Sequence, residues 1–170
     1  MFNWKDHLHT SMKKVEVELL AKRVLDDHSL LESLILACEN KDSVLSRKGA
    51  WVLGVVSQKN KNLISPYSER LVHLLGNTHD SSVHREVFKV LAAQKLPDDL
   101  FAQVLDFSFN SLNNPLSDTA VKYNSFLFII KSLPKYPELK NELLAITERQ
   151  IPHVTAPLAY QMKKHLAKLK

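Results

Sequence analysis

The chain has 170 residues, 45% of them hydrophobic and 24% charged, a profile that excludes a disordered chain and allows a core to be buried without disulfides or metals. With three glycines and seven prolines it has few of the turns that β-hairpins need, so it reads as all-α. A net charge of +5 favours an anionic partner, and no apolar run approaches the roughly 20 residues of a membrane span.

The N-terminal MFNWKDHLHT lacks the apolar core of a secretory signal. The lone Cys38 lies in the apolar run LILAC, as expected of a buried thiol in a reducing compartment. The expected location is therefore cytoplasmic.

Phe2 and Trp4 form an expected lid over a first helix, Met12 to Leu25, whose apolar face would carry Val15, Leu19 and Val24 or Leu25. Ser29 or Asp27 caps a helix to Glu39, with Leu31, Leu34, Ile35 and Cys38 inward. The next helix, capped by Asp42 or Ser43 and ending near Ser57, is apolar on nearly every side, as suits a helix packed between neighbours. A helix to Leu75 follows. Pro66 starts or kinks it, and Gly76-Asn77 is expected to stop it in a left-handed turn.

His79 to Gln94 is then helical from Asp80 or Ser81, and Asp98 to Leu112 runs up to the turn NNP. Leu116 to Leu133 is capped by Ser117 or Asp118 and stopped by PKYP. Pro137 opens a helix to Gln150, and Thr155 caps a last one with Pro157 in its first turn.

Advancing 38 residues at a time, the central helix recurs. Leu45 maps to Val83 and Val121, Ala50 to Phe88 and Phe126, Val52 to Val90 and Phe128, and Leu53 to Leu91 and Ile129. Leu36, Leu74 and Leu112 keep the same interval in the preceding helices. A period in this range marks stacked helix pairs, since one pair cannot bury its own apolar face. The expected fold is an α-α superhelix of about four helix pairs (28–60, 61–96, 97–136 and 137–170) after an N-terminal cap (1–27), all in one domain.

Asp42, Val44 and Arg47, and again Asp80, Val83 and Arg85, resemble the second-helix motif of HEAT and armadillo-like repeats. The third unit keeps Asp118 and Val121 but has Tyr123 in place of the basic residue. The resemblance implies that Asp and Arg form a structural ladder between units, and that second helices line a concave surface.

The positive charge is sorted between the two helix sets. The second helices carry thirteen Lys and Arg residues, from Arg47 to Lys170, against Glu86 and Asp118. The first helices are acidic on balance, with Glu32, Glu39 and Glu69 among others. Lys48, Trp51, Lys89, Lys122 and Tyr123 are the expected partner-binding residues, and an acidic protein segment is the expected partner.

The basic face and Trp51 in RKGAWVLG are also similar to HEAT-like DNA glycosylases that remove alkylated bases. That likeness implies a nucleic-acid binder, or a degenerate glycosylase, as the alternative. Against it, Trp51 stands among core-type neighbours, and the inner helices offer hardly a carboxylate beyond Glu86. No glycine-rich phosphate loop, nucleophile elbow, paired-cysteine motif or helical zinc spacing is present. No enzyme activity, cofactor or metal is expected.

Overall fold

The structure is a computed structural model that describes residues 2–169. Lys170, counted above with the basic residues, lies outside them. Eleven α-helices and two short 3-10 turns are found among the described residues, with no strand. They are α1 (Trp4–Leu8), α2 (Lys14–Asp26), α3 (Leu30–Cys38), α4 (Ser43–Lys59), α5 (Lys61–Ile64), α6 (Ser68–Asn77), α7 (Ser81–Ala92), α8 (Asp98–Asn113), α9 (Thr119–Ser132), α10 (Leu139–Gln150) and α11 (Ala156–Leu166). In chain order α3–α4, α6–α7, α8–α9 and α10–α11 make four pairs, preceded by α1 and α2. No helix among these residues is long and apolar enough to cross a membrane.

The residues group into two compact units, 1–100 and 101–170. In the first, α4 is the hub and packs against α1, α2, α3, α5 and α7. Asp42 starts it, with Oδ1 accepting from the Val44 and Leu45 amides at 2.9 and 3.2 Å, which satisfies two of the donors a helix leaves open. Gly49 and Gly54 then allow close approach on two sides. A Cβ at Gly49 would lie 3.3 Å from the Cys38 nitrogen on α3, and one at Gly54 only 2.9 Å from Glu86 Oε2 on α7.

In the second unit α9 packs against both α10 and α11. Phe126, Ile129, Leu143, Ile146, Leu158 and Met162 form its core with Leu112 of α8. The repeat interval carries through to burial: all twelve residues of the four matched triplets, from Leu45 to Ile129, are buried.

Three sequence expectations change. On α2 the inward residues are Val17, Ala21 and Val24, each fully buried, whereas Val15 and Leu19 are 64% and 62% exposed. The helix carries two apolar stripes, and the slimmer one is the buried one, in a helix that packs against α4. Leu36 is likewise exposed although Leu74 and Leu112, at the same repeat position, are buried.

Of its two expected roles Pro66 takes the first, standing in the first turn of a 3-10 segment, Ser65–Tyr67, that follows α5 and leads into α6 at Ser68. Gly76 and Asn77 are helical, no described residue has a positive φ, and α6 ends in the extended Thr78. The Asn77 side chain donates to the His73 carbonyl at 2.7 Å, so the carbonyl is satisfied without a left-handed cap. The lid is as expected, with Trp4 buried and its indole N–H donating to Ser33 Oγ at 2.8 Å.

Candidate binding face

The 38-residue interval places Arg47, Lys48 and Trp51 of α4 at the same repeat positions as Arg85, Glu86 and Lys89 of α7. Because α4 and α7 pack together, the first unit brings these six side chains into two neighbouring rows. Within the spans of the two helices stand five cations, Arg47, Lys48, Lys59, Arg85 and Lys89, and one carboxylate, Glu86.

Arg47 holds the rung to the next repeat: its Nε is 3.5 Å from Asp80 Oδ2 and donates to the Ser43 carbonyl at 2.9 Å. Asp80 is also the N-cap of α7, accepting from the Ser82 and Val83 amides at 2.9 and 3.3 Å. Asp118 caps α9 in the same way at the Ala120 amide, 2.9 Å away.

Sequence reasoning missed the preceding rung. His9 stands 38 residues before Arg47, and its Nε2 lies 3.0 Å from Asp42 Oδ2. Stepping the interval backwards would have found it. Arg85 departs from the ladder, its Nε meeting Glu86 Oε1 at 2.9 Å. Both arginine side chains keep over 40% of their surface exposed, so they are paired but not buried.

Glu86 is itself buried, and its Oε1 also receives Lys89 Nζ at 3.2 Å. A second missed feature is Arg70, which joins α3 to α6. It reaches Glu39 through two bonds, at 2.9 and 2.6 Å, and Glu32 at 2.6 Å, and the two carboxylates raise its pKa further above its ordinary value. Glu32 and Arg70 are again 38 residues apart.

Of the expected site residues, the first unit unites Lys48, Trp51 and Lys89. Lys89 is exposed; Lys48 and Trp51 are half-buried. Lys48 Nζ donates to the Thr10 carbonyl, which anchors the amine at the edge of the face.

Lys122 and Tyr123 belong to the second unit. Lys122 is 3% exposed. Its Nζ donates to Gln150 Oε1 at 2.8 Å and lies 3.4 Å from the Pro115 carbonyl, so the ammonium is used internally and does not lie on a surface. Burial lowers its pKa from the ordinary lysine value. Tyr123 is half-buried and borders a groove of about 440 Å³ with Thr155, Pro157 and Leu158. Among the described residues no group of three or more His, Cys, Asp or Glu side chains is placed to hold a metal ion.

A family model described as a HEAT repeat domain matches residues 4–168. The chain belongs to the HEAT repeat family. Its all-helical fold is accordingly of the α-α solenoid class. No curated protein matches the chain, and no solved structure matches it.

Proposed function

We propose that this HEAT repeat chain is a non-enzymatic, cytoplasmic binding scaffold whose basic face takes an acidic protein segment. The observation that supports this most is the excess of five cations over one carboxylate on α4 and α7. Glu86 is buried beneath that excess and offsets Arg85 and Lys89 only in part. An extended acidic segment lying across the two helices would meet Arg47, Lys48, Arg85 and Lys89 in turn. The exposed edge of Trp51 between them would offer apolar contact.

Such contacts favour rapid, charge-steered encounter and weaken as salt screens them. Tyr123 is a further binding residue in this reading, with Lys122 supporting α9 from inside. Repeat solenoids bind extended segments through their inner helices, which agrees with the charge sorting seen in the sequence.

The test is fluorescence anisotropy of a labelled oligoglutamate peptide at low ionic strength. Binding should appear in the wild-type chain, fall steeply with salt, and be lost in the Lys48→Glu/Lys89→Glu double variant. Binding that survives the double variant would place the site elsewhere. A nucleic-acid function, as in HEAT-like glycosylases, rests on the same positive face. A labelled duplex binding more tightly than oligoglutamate, with a steep salt slope, would overturn the acidic-segment reading in its favour.

A further inference from the structure

Two rungs hold the register of the first unit. His9 Nε2 reaches Asp42 Oδ2 at 3.0 Å and Arg47 Nε reaches Asp80 Oδ2 at 3.5 Å, and each rung joins the same two repeat positions. Lys48 Nζ, donating to the Thr10 carbonyl, ties the turn between α1 and α2 to α4. With the register held in this way, residues one 38-residue interval apart are neighbours.

At one repeat position this sets Lys13, Trp51 and Lys89 in a line. Trp51 is the central member, because α4 packs against both α2 and α7. Lys13 is the N-cap residue of α2 and stands three residues past Thr10, a distance that even an extended chain spans with about 10 Å. It also precedes Val17 by four residues, which puts it on the side of α2 that carries the buried Val17, Ala21 and Val24. At the helix end that side opens, and Lys13 is exposed. Its amide is satisfied by Glu16 Oε2 at 2.5 Å. Lys89 is likewise exposed and gives one donor to Glu86 at 3.2 Å, which leaves its ammonium two more.

The line therefore reads cation, aromatic edge, cation. Packed helices lie about 8–10 Å apart, and an extended segment advances about 3.3 Å per residue, so successive members of the line meet every third residue of such a segment. A uniformly acidic segment would satisfy both lysines but set a carboxylate against the Trp51 edge. A uniformly apolar one would leave both ammonium groups unmatched.

We infer that Lys13, Trp51 and Lys89 select an extended segment in which an apolar residue has one acidic residue three places before it and another three places after. The inference rests on the acidic-segment reading of this face, and it adds Lys13 to the site and an apolar centre to the partner.

Two labelled, end-blocked heptapeptides of six glutamates and one leucine test it by fluorescence anisotropy at low ionic strength. The leucine is central in one and terminal in the other, so charge and composition are equal. The wild-type chain should bind the central isomer about threefold more tightly or better. Lys13→Glu should erase or reverse that preference. Lys14→Glu, the same charge change one residue on, should weaken both isomers alike and keep it. Both lysines are exposed, so neither change touches the core. Isomers that bind equally, and are both lost in the Lys48→Glu/Lys89→Glu variant, overturn the line while leaving the face in place. A preference that survives Lys13→Glu overturns it as well. Heptapeptides that do not bind at all overturn the acidic-segment reading and this inference together.

Discussion

One added methyl group should have opposite effects at two glycines. Gly76 lies within α6, with open space where its Cβ would stand. Gly76→Ala therefore gains only helix propensity, up to about 1 kcal/mol and less near a helix end.

At Gly54 the same methyl would fall 2.9 Å from Glu86 Oε2. The Glu86 side chain is 7% exposed and tied to Arg85 and Lys89, so moving it strains both ion pairs or parts α4 from α7. Overpacking of this kind costs about 1–3 kcal/mol. Set against a propensity gain of about 1 kcal/mol, the expected net loss for Gly54→Ala is roughly 1 kcal/mol.

Urea unfolding followed by tryptophan fluorescence reads this directly, because Trp4 and Trp51, the two tryptophans, both lie in the first unit. In a Glu86→Ala background the obstruction is gone, and Gly54→Ala should become stabilising. A Gly54→Ala variant more stable than the wild type, or equally destabilised in both backgrounds, would refute the reasoning.

Burial pushes the Cys38 thiol far above its ordinary pKa; a disulfide reagent should therefore label it only at the rate of unfolding, and fast labelling of the native chain would show α3 to be open. For Lys122 the folded pKa lies below the unfolded value, so the unfolded chain binds more protons in that interval and stability rises with pH. Wild type should accordingly gain on Lys122→Met as pH climbs through the lowered pKa towards 10.5, and a constant difference up to that pH would mean the amine is solvated. At Asp80, asparagine keeps a capping oxygen while losing the charge of an exposed rung, and alanine loses both. Chemical denaturation should show less than about 0.5 kcal/mol lost for Asp80→Asn and about 1 kcal/mol for Asp80→Ala.

The repeat was legible because burial follows it: every residue of the four core triplets is inside, and one interval predicts all twelve. What escaped depends on which of two similar surfaces meets a neighbour. On α2 periodicity alone could not choose between the Val15–Leu19 stripe and the Val17–Ala21–Val24 stripe, because the choice depends on how the helix packs in its unit, where it meets α4. Lys122 looked like an amphipathic surface lysine, because a sequence does not show that the opposing position is the amide of Gln150 rather than water. The neighbour that Gly54 makes room for, the Glu86 carboxylate, was not legible either, since the glycine does not say what approaches it.

The central claim is that α4 and α7 carry the binding face. Proton–nitrogen NMR spectra of the chain titrated with oligoglutamate test it residue by residue. The account predicts shifts concentrated at Arg47, Lys48, Arg85, Lys89 and the Trp51 indole N–H, fading as salt is added. Shifts absent altogether, or confined to α3 and α6, would contradict it.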